Sequence, residues 1–270
     1  GFSPDTAADL FESNAGWADK IGGACVPPWQ VAALDYTLEE PYGVVAVIIP
    51  WNGPLISIGM TCAPALAAGN CVIMKPPELA PWIALRVGEI GLEAGLPPGV
   101  FNIIPGGPEG GAALVEHKGV DKVHFTGSGA TAKHILRSAL ETLKPVGLEL
   151  GGKSANLLFA DADLPSAVGQ AIGAIVNLSG QGCINGTRVF AQAEVYDQVV
   201  EMSTQFLSGV KLGDPFDPEV LMGAVIDAKA CDRIVGMIEQ AKQSDARLAL
   251  GGERAGGDLA DGYFIQPTVF

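Results

Sequence analysis

Short apolar runs alternate with helix-length segments between residues 44 and 150, and this alternation limits the folds open to the chain. Apolar strands separated by helices are typical of a parallel sheet that helices cover on both faces. The order of the runs therefore predicts a series of βαβ units. We predict strands at 44–49, 71–75, 100–104, 122–126 and 145–150, and helices at 55–68, 81–94, 108–117 and 129–143.

A second α/β series begins after residue 150. We expect a strand at 154–160, a helix at 164–178, a strand at 187–192 and an amphipathic helix at 194–209. The last segment, DGYFIQPTVF at 261–270, also has the composition of a strand. Composition does not change near residue 150, so the predicted boundary rests on the element pattern alone.

Charge and cysteine usage narrow the classes of partner. Sixteen basic against thirty acidic residues give a net charge of −14. This charge repels nucleic acid and anionic membrane surfaces, so neither is expected as a partner. The five cysteines show no CxxC pair and no zinc-site spacing, so we expect no metal site and free thiols in a reducing compartment, the cytoplasm. They are Cys25, Cys62, Cys71, Cys183 and Cys231.

Residues 42–74 carry no charge, yet prolines, Asn52 and Gly53 interrupt the run. A buried strand, turn and helix explain this stretch better than a membrane span does. The chain opens without Met or a basic leader and stops at Phe270 without a polar tail. We therefore expect it to be a fragment that lacks both ends.

Two segments rich in small residues hold a lone carboxylate and a lone thiol. Glu149 lies in GLELGGKS at 147–154, and Cys183 lies in SGQGCINGTR at 179–188. A carboxylate and a thiol are the residue types of a general base and a nucleophile. Neighbours without bulk would leave the thiol open from both sides, a role predicted for Gly180, Gly182 and Gly186.

Two other interpretations compete for these segments. Cys183 could be a small packing residue, but its neighbours Gln181 and Asn185 are polar, which favours function. Residues 147–154 also match the phosphate-binding pattern GxxxxGK[ST], which predicts an NTPase. A phosphate-binding loop must open a helix, whereas the residues after Ser154 read as a strand, so the context opposes this interpretation.

A second glycine pattern follows a predicted strand and opens a predicted helix. In GSGATA at 127–132, Gly127, Gly129 and Ala132 satisfy the dinucleotide pattern GxGxxG/A. That pattern expects an acidic residue about 20 positions later to bind ribose, and Glu149 falls there. Glu149 therefore has two predicted roles. The three histidines lie outside these loops, and structural roles are expected for His117, His124 and His134.

Five segments in order resemble the aldehyde dehydrogenase superfamily: PWNGP at 50–54, MKPPE at 74–78, FTGS at 125–128, LELGGK at 148–153 and GQGCINGTR at 180–188. The resemblance implies a Rossmann-like dinucleotide-binding domain over residues 1–150 and a truncated α/β catalytic domain over residues 151–270. It also implies that residues 25–41 project as a strand pair through which the full-length protein forms a homo-oligomer.

The resemblance implies that the chain oxidises an aldehyde to a carboxylic acid with NAD(P)+. Cys183 would form a thiohemiacetal and then a thioester, and Glu149 would activate the hydrolytic water. The side chain of Asn52 and the backbone N–H of Cys183 would hold the oxyanion. The alternatives are a non-catalytic NAD-binding remnant of the family and the NTPase described above.

The resemblance also assigns the cofactor contacts. Lys75 and Glu78 would hold the adenosine ribose, which removes that role from Glu149. A carboxylate at Glu78 would repel a 2′-phosphate, so NAD is the expected cofactor and NADP a permitted one. Without the other motifs, these two residues would read as an ordinary surface ion pair. The implied cofactor residues are Pro50, Trp51, Lys75, Glu78, Gly127, Ser128 and Leu150.

Overall fold

The computed structural model describes residues 4–270 and divides the chain into two compact units, Gly1–Gly151 and Gly152–Phe270. Residues 1–3, which open the predicted domain 1–150, lie outside the described part. The first unit begins with helix α1 (Pro4–Ala15), followed by a short antiparallel pair, β1 (Cys25–Val26) and β2 (Asp35–Tyr36). Apolar side chains around this pair are exposed, Trp29 by 84%. The role of residues 25–41 in subunit association stays a prediction.

The main sheet of the first unit has five parallel strands within the described residues. They are β3 (Val44–Ile48), β4 (Cys71–Lys75), β5 (Phe101–Ile103), β6 (Lys122–Gly127) and β7 (Val146–Leu150). Their order is β5-β4-β3-β6-β7, and every neighbouring pair is parallel. This confirms the predicted α/β class and parallel sheet, and each strand end lies within one residue of its predicted place.

Four helices connect these strands: α2 (Pro54–Ala67), α3 (Trp82–Glu93), α4 (Pro108–Glu116) and α5 (Gly129–Leu140). A proline in the first turn starts α2 and α4, where its missing N–H is not needed. Gly69 and Gly95 follow α2 and α3 with φ of 82° and 90°, the left-handed conformation that ends a helix. The helix predicted at 129–143 ends earlier, at Leu140, and Leu143 takes a φ of 52°.

The helices cover the sheet on both faces, as the apolar strands require. On one face Val47 and Met74 pack with Ile58 and Cys62 of α2. On the other face Ala46, Ile48, Val123 and Phe125 pack against α4 and α5 through Val115 and Ile135. The uncharged stretch 42–74 thus forms β3, α2 and β4, which are all buried against one another. Over residues 4–270, no helix has both the length and the apolar character to cross a bilayer.

The second unit has a smaller parallel pair, β8 (Ala155–Leu158) and β9 (Arg188–Ala191). Helices α6 (Leu164–Val176) and α7 (Tyr196–Ser208) pack on it through Leu158, Val168, Ile172 and Val199. Helix α8 (Ala228–Lys242) forms a separate small core through Cys231 and Ile238. Both predicted strands and both predicted helices are present, although α6 ends two residues before the predicted 178.

The strand predicted at 261–270 is wrong. The segment makes only isolated bridges, Leu250 with Val269 and Arg254 with Ile265. Pro267 offers no N–H to a ladder, and the facing turn bends at Gly251 and Gly252, whose φ values are positive. Helices α1 and α8 were not predicted. Asp227 caps α8 by accepting a 2.7 Å hydrogen bond from the Ala230 N–H, a signal that the sequence does carry.

Candidate active site

The candidate residues of the first unit lie at the carboxyl ends of its parallel strands. Lys75 is the last residue of β4, and the segment 50–52 follows β3. Gly127 ends β6, and Glu149 and Leu150 end β7. The register sets Ile48 beside Lys75 on one side and Phe125 on the other. Four strands therefore deliver their candidate residues to one edge of the sheet.

The direction of the chain through the sheet reverses at β3. From β3 it steps outward to β4 and β5, then crosses to β6 and β7 on the other side. In open α/β sheets, ligands bind outside the carboxyl ends of strands at such a point, because the loops on either side separate there. The loops after β3 and β6 flank this reversal, and they hold Asn52 and Ser128.

The loop after β3 is short and turns directly into α2. Pro50, Trp51 and Asn52 are half-buried, and Asn52 has an interaction partner within the protein. Gly53 is the N-cap of α2, and its carbonyl accepts a 3.0 Å hydrogen bond from the Ser57 N–H. Asn52 is thereby fixed between a buried strand and the start of a buried helix.

Lys75 differs from an ordinary surface lysine. Its side chain is only 7% exposed, and its ammonium lies 3.5 Å from a carboxylate oxygen of Glu78, which is 54% exposed. The ammonium also donates a 3.2 Å hydrogen bond to the Pro76 carbonyl. A Cβ on Gly111 of α4 would lie 3.5 Å from the Lys75 stem, so the stem runs beneath that helix. Lys75 is therefore a buried feature of the strand end, and Glu78 approaches it from the surface.

Ser128 forms the N-cap of α5. Its hydroxyl oxygen accepts a 3.2 Å hydrogen bond from the Thr131 N–H, and its carbonyl accepts one from Ala132. The first N–H groups of a helix have no acceptor within the helix and, with the helix dipole, favour an anion. Gly127 has a packing reason to lack a side chain, because a Cβ there would lie 2.5 Å from the Phe125 ring.

Glu149 lies on β7 directly opposite Thr126 of β6, and its side chain is exposed. His124 lies two residues before Thr126, on the same face, and its ring nitrogen is 3.3 Å from the Thr126 hydroxyl. Burial lowers the pKa of His124, while the negative charge of Glu149 partly opposes that change. Sequence spacing missed this neighbour, because the register between β6 and β7 creates it.

Cys183 belongs to the second unit, in a loop with unusual backbone geometry. The segment before it takes the left-handed conformation at Leu178, Ser179 and Gly180, with φ of 51°, 53° and 75°. Such conformations cost free energy and persist only when neighbours hold them. The Ser179 hydroxyl donates to the Gly223 carbonyl at 2.8 Å.

Gln181 adds a second anchor to the same segment. Its amide oxygen accepts a 3.0 Å hydrogen bond from the Ile226 N–H, and its amide nitrogen donates to the Leu178 carbonyl at 3.0 Å. The thiol of Cys183 is free and exposed. The loop therefore presents an accessible thiol on a backbone that side chains hold in place.

The glycines around Cys183 make room for amides of the protein itself. A Cβ on Gly182 would overlap the side chain of Asn185, and one on Gly186 would lie 2.6 Å from the Asn156 amide nitrogen. At Gly182 and Gly186, a side chain is thus excluded by Asn185 and Asn156, while the predicted role of these glycines in access to the thiol stays a prediction. Asn185 is 3% exposed, and among the described residues its amide nitrogen has no hydrogen-bond partner.

The residues that match GxxxxGK[ST] do not open a helix. Lys153 and Ser154 run into strand β8, as the sequence predicts, so no helix N-terminus faces a phosphate there. The Lys153 ammonium instead donates to the carbonyls of Gly152 at 2.9 Å and Gly182 at 3.2 Å. The Lys153 ammonium thus bonds main-chain oxygens of the protein itself.

Known proteins resemble this chain over nearly its full length. The profile of the aldehyde dehydrogenase family matches residues 3–270. Aldehyde dehydrogenase 1A1 of Gallus gallus is 47% identical over 258 residues, which are 95% of this chain and 50% of that protein. Aldehyde dehydrogenase family 2 member B4, mitochondrial, of Arabidopsis thaliana is 46% identical over 268 residues, 97% of this chain and 48% of that protein. The chain thus spans about half the length of the curated relatives it matches.

Solved structures agree with the sequence comparison. The NAD+ complex of aldehyde dehydrogenase from Bacillus cereus has a TM-score of 0.92 and 42% identity, and the match covers 98% of this chain and 53% of that one. PnpE in complex with nicotinamide adenine dinucleotide also has a TM-score of 0.92, with 40% identity, and the match covers 97% of this chain and 54% of that one.

Proposed function

Because the chain belongs to the aldehyde dehydrogenase family, we propose that it supplies the cofactor-binding and nucleophile segments of an NAD(P)-dependent aldehyde dehydrogenase. The observation that carries the proposal is the gathering of candidate residues at the carboxyl ends of β3, β4, β6 and β7, where the strand order reverses. Small-residue loops and a lone cysteine alone would not support this function without the candidate residues at the carboxyl edge of the sheet. The proposed substrate class is an aldehyde.

The residues at the sheet edge fit a dinucleotide. The N-terminus of α5, with Gly127 and Ser128, offers backbone N–H groups and a helix dipole to the pyrophosphate. Lys75 and Glu78 offer an ammonium and a half-exposed carboxylate to the adenosine ribose. Pro50, Trp51 and Leu150 would line the cleft. When bound, the nicotinamide supplies the acceptor for the hydride that leaves the substrate carbon.

Glu78 would set the preference between the two dinucleotides. Its carboxylate accepts hydrogen bonds from ribose hydroxyls but repels a 2′-phosphate. The Lys75 ammonium lies 3.5 Å from the Glu78 carboxylate and also donates to the Pro76 carbonyl. The ion pair therefore neutralises the negative charge of Glu78 only in part. We therefore propose NAD as the main cofactor.

Cys183 would act as the nucleophile. Its thiolate adds to the aldehyde carbonyl, a C–S bond forms, and the carbonyl electron pair moves onto oxygen as a thiohemiacetal oxyanion. The Asn52 amide and the Cys183 backbone N–H would donate hydrogen bonds to that oxyanion. Each such donor is worth about 3 kcal/mol of transition-state stabilisation. Loss of hydride from the same carbon leaves a thioester on Cys183.

Glu149 would complete the cycle as a general base. It takes a proton from water as the water oxygen adds to the thioester carbonyl, and collapse of the adduct expels the Cys183 thiolate and releases a carboxylic acid. The exposed position of Glu149 at the end of β7 leaves it open to solvent water. The aldehyde as small-molecule partner, the homo-oligomer and a cytoplasmic location belong to the same proposal.

The decisive experiment follows NADH formation at 340 nm with a panel of aldehydes, using the protein expressed from its complete gene. We expect Cys183→Ala to lower kcat by about 1,000-fold or more, because the covalent route is lost. The control Lys229→Met changes an exposed side chain of the second unit and should change kcat less than about twofold.

Glu149→Gln separates the two halves of the reaction. This variant should release about one equivalent of NADH rapidly and then turn over slowly, because acylation survives and deacylation does not. NAD+ binding without oxidation of any aldehyde would reject catalysis and favour the non-catalytic NAD-binding remnant. ATP hydrolysis that depends on Lys153 would favour the NTPase.

A further inference from the structure

Lys153 is the charged residue of the LELGGKS segment that the proposed mechanism leaves without a role. Its ammonium donates to two main-chain carbonyls, Gly152 at 2.9 Å and Gly182 at 3.2 Å. No carboxylate in residues 4–270 forms an ion pair with it. The positive charge is thus directed at the backbone of the loop that carries Cys183.

The main chain of Lys153 is itself held by the far end of the same loop. The Arg188 Nε donates a 2.8 Å hydrogen bond to the Lys153 carbonyl, and Ala155 pairs with Arg188 at the start of the β8–β9 ladder. The Asn156 amide also donates to the Gly186 carbonyl. The loop is therefore tied to the β8 segment on both sides of Cys183.

The peptide between Gly182 and Cys183 connects Lys153 to the proposed chemistry. In a trans peptide the carbonyl and the N–H lie in one plane and point in opposite directions. The Gly182 carbonyl accepts from the Lys153 ammonium at 3.2 Å and from the Asn185 N–H at 3.5 Å, so the shorter, charged bond helps to set the direction of the Cys183 N–H. A charged donor on the carbonyl also polarises the peptide, which makes the N–H a stronger hydrogen-bond donor.

We propose that Lys153 is a positioning residue that orients the Cys183 N–H toward the thiohemiacetal oxyanion by holding the Gly182 carbonyl. This inference rests on the proposed function, because it needs an oxyanion at Cys183. Lys153 touches neither the substrate nor the thiol sulfur in this scheme. Its contribution is confined to the steps in which negative charge develops on the substrate oxygen.

Two reactions of Cys183 separate this role from activation of the thiol. Alkylation by iodoacetamide displaces iodide and builds no oxyanion, so it reports thiolate reactivity and access alone. Aldehyde oxidation needs both the thiolate and the oxyanion donors. A residue that orients a donor should affect the second reaction and spare the first.

The experiment compares Lys153→Met, Lys153→Gln and the wild type in the protein from the complete gene. Lys153→Met should lower kcat/KM for aldehyde oxidation by about tenfold or more, since full loss of an oxyanion donor costs about 100-fold or more. Lys153→Gln keeps one neutral donor, so its kcat/KM should lie between those of Lys153→Met and the wild type. Alkylation of Cys183 should stay within about twofold in both variants. The control Lys229→Met removes an exposed lysine on α8 and should change neither rate.

Each outcome decides the inference. An unchanged kcat/KM in Lys153→Met overturns it, and an equal fall in oxidation and alkylation overturns it in favour of thiol activation. If circular dichroism shows that the Met variant has lost its fold, the Gln variant decides by the same two rates. A wild type that oxidises no aldehyde rejects the proposed function, and this inference fails with it. An active wild type with an unaffected Lys153 variant rejects the inference alone.

Discussion

Because of Cys62, the first unit should lose stability as the pH rises into the alkaline range. The thiol lies on α2 with no exposed surface, packed beside Val47 and Met74 of the sheet. Burial raises its pKa from 9.0 to about 12, and a contact with the Thr61 hydroxyl offsets only part of that rise. The native thiol therefore stays protonated at a pH where the unfolded thiol ionises.

The sign and size of the effect follow from these two pKa values. A native pKa above the unfolded one gives stability that is complete below pH 9.0 and is lost as the pH rises toward about 12. Each pH unit in that interval costs about 1.4 kcal/mol of unfolding free energy, so the loss is about 1.4 kcal/mol by pH 10 and about 4 kcal/mol at its limit.

Urea unfolding followed by circular dichroism at pH 8 and pH 10 measures this effect. Cys62→Ala removes the thiol and should cost about 1 kcal/mol at pH 8 through lost packing, whereas at pH 10 the variant should be at least as stable as the wild type. Between pH 8 and pH 10, the unfolding free energy of Cys62→Ala should fall by about 1.4 kcal/mol less than that of the wild type. The comparison of the two proteins removes the contribution of the other titrating groups, which both share. Equal losses in the two proteins would refute the assignment to Cys62. Cys25→Ala, which removes an exposed thiol, should follow the wild type.

Three further predictions concern the sheet edge. Glu78→Gln should raise the ratio of NADP+ to NAD+ kcat/KM by about tenfold by removing a repulsive charge, and an unchanged ratio would contradict that role. Gly127→Ala should cost about 1–3 kcal/mol in urea unfolding because its Cβ meets the Phe125 ring, whereas a Cβ at Gly129 meets nothing within 4 Å and Gly129→Ala should cost little. Since burial lowers the pKa of His124, its native form binds protons less readily than the unfolded form, and stability should fall as the pH drops below 6.5. His124→Gln should flatten that acid limb in unfolding measurements, and an unchanged limb would exclude His124 as its cause.

The sheet was predictable because burial on both faces leaves a direct mark on sequence. Val45, Ala46, Val47 and Ile48 are all buried, so β3 appears as a continuous apolar run. The strand at 261–270 was wrong because its apolar residues pack on two separate clusters, and its backbone hydrogen bonds are scattered and form only isolated bridges with neighbouring segments. Apolar composition reports burial, but a ladder needs a partner strand that composition does not reveal.

The candidate residues were predictable as motifs, but their surroundings were not. Gly182 and Gly186 were assigned to open access, whereas the structure gives their space to Asn185 and Asn156. His124 was assigned a structural role from its own strand, yet its electrostatic neighbour is Glu149 of β7. Spacing along one segment fixes which residues share a face, while contacts between segments depend on register and on loops that the pattern leaves open.

Lys153 shows how the following element decides the chemistry of a motif. The string GxxxxGK[ST] binds phosphate when a helix follows, because the N–H groups of the first turn then surround the anion beside the lysine. Here strand β8 follows instead, and its backbone pairs with β9, so no helix N-terminus is present to surround an anion. The ammonium is left with carbonyl oxygens as acceptors, and the Gly182 carbonyl lies within its reach at 3.2 Å. A lysine that would hold a phosphate at the start of a helix therefore holds the backbone beside Cys183 at the start of a strand.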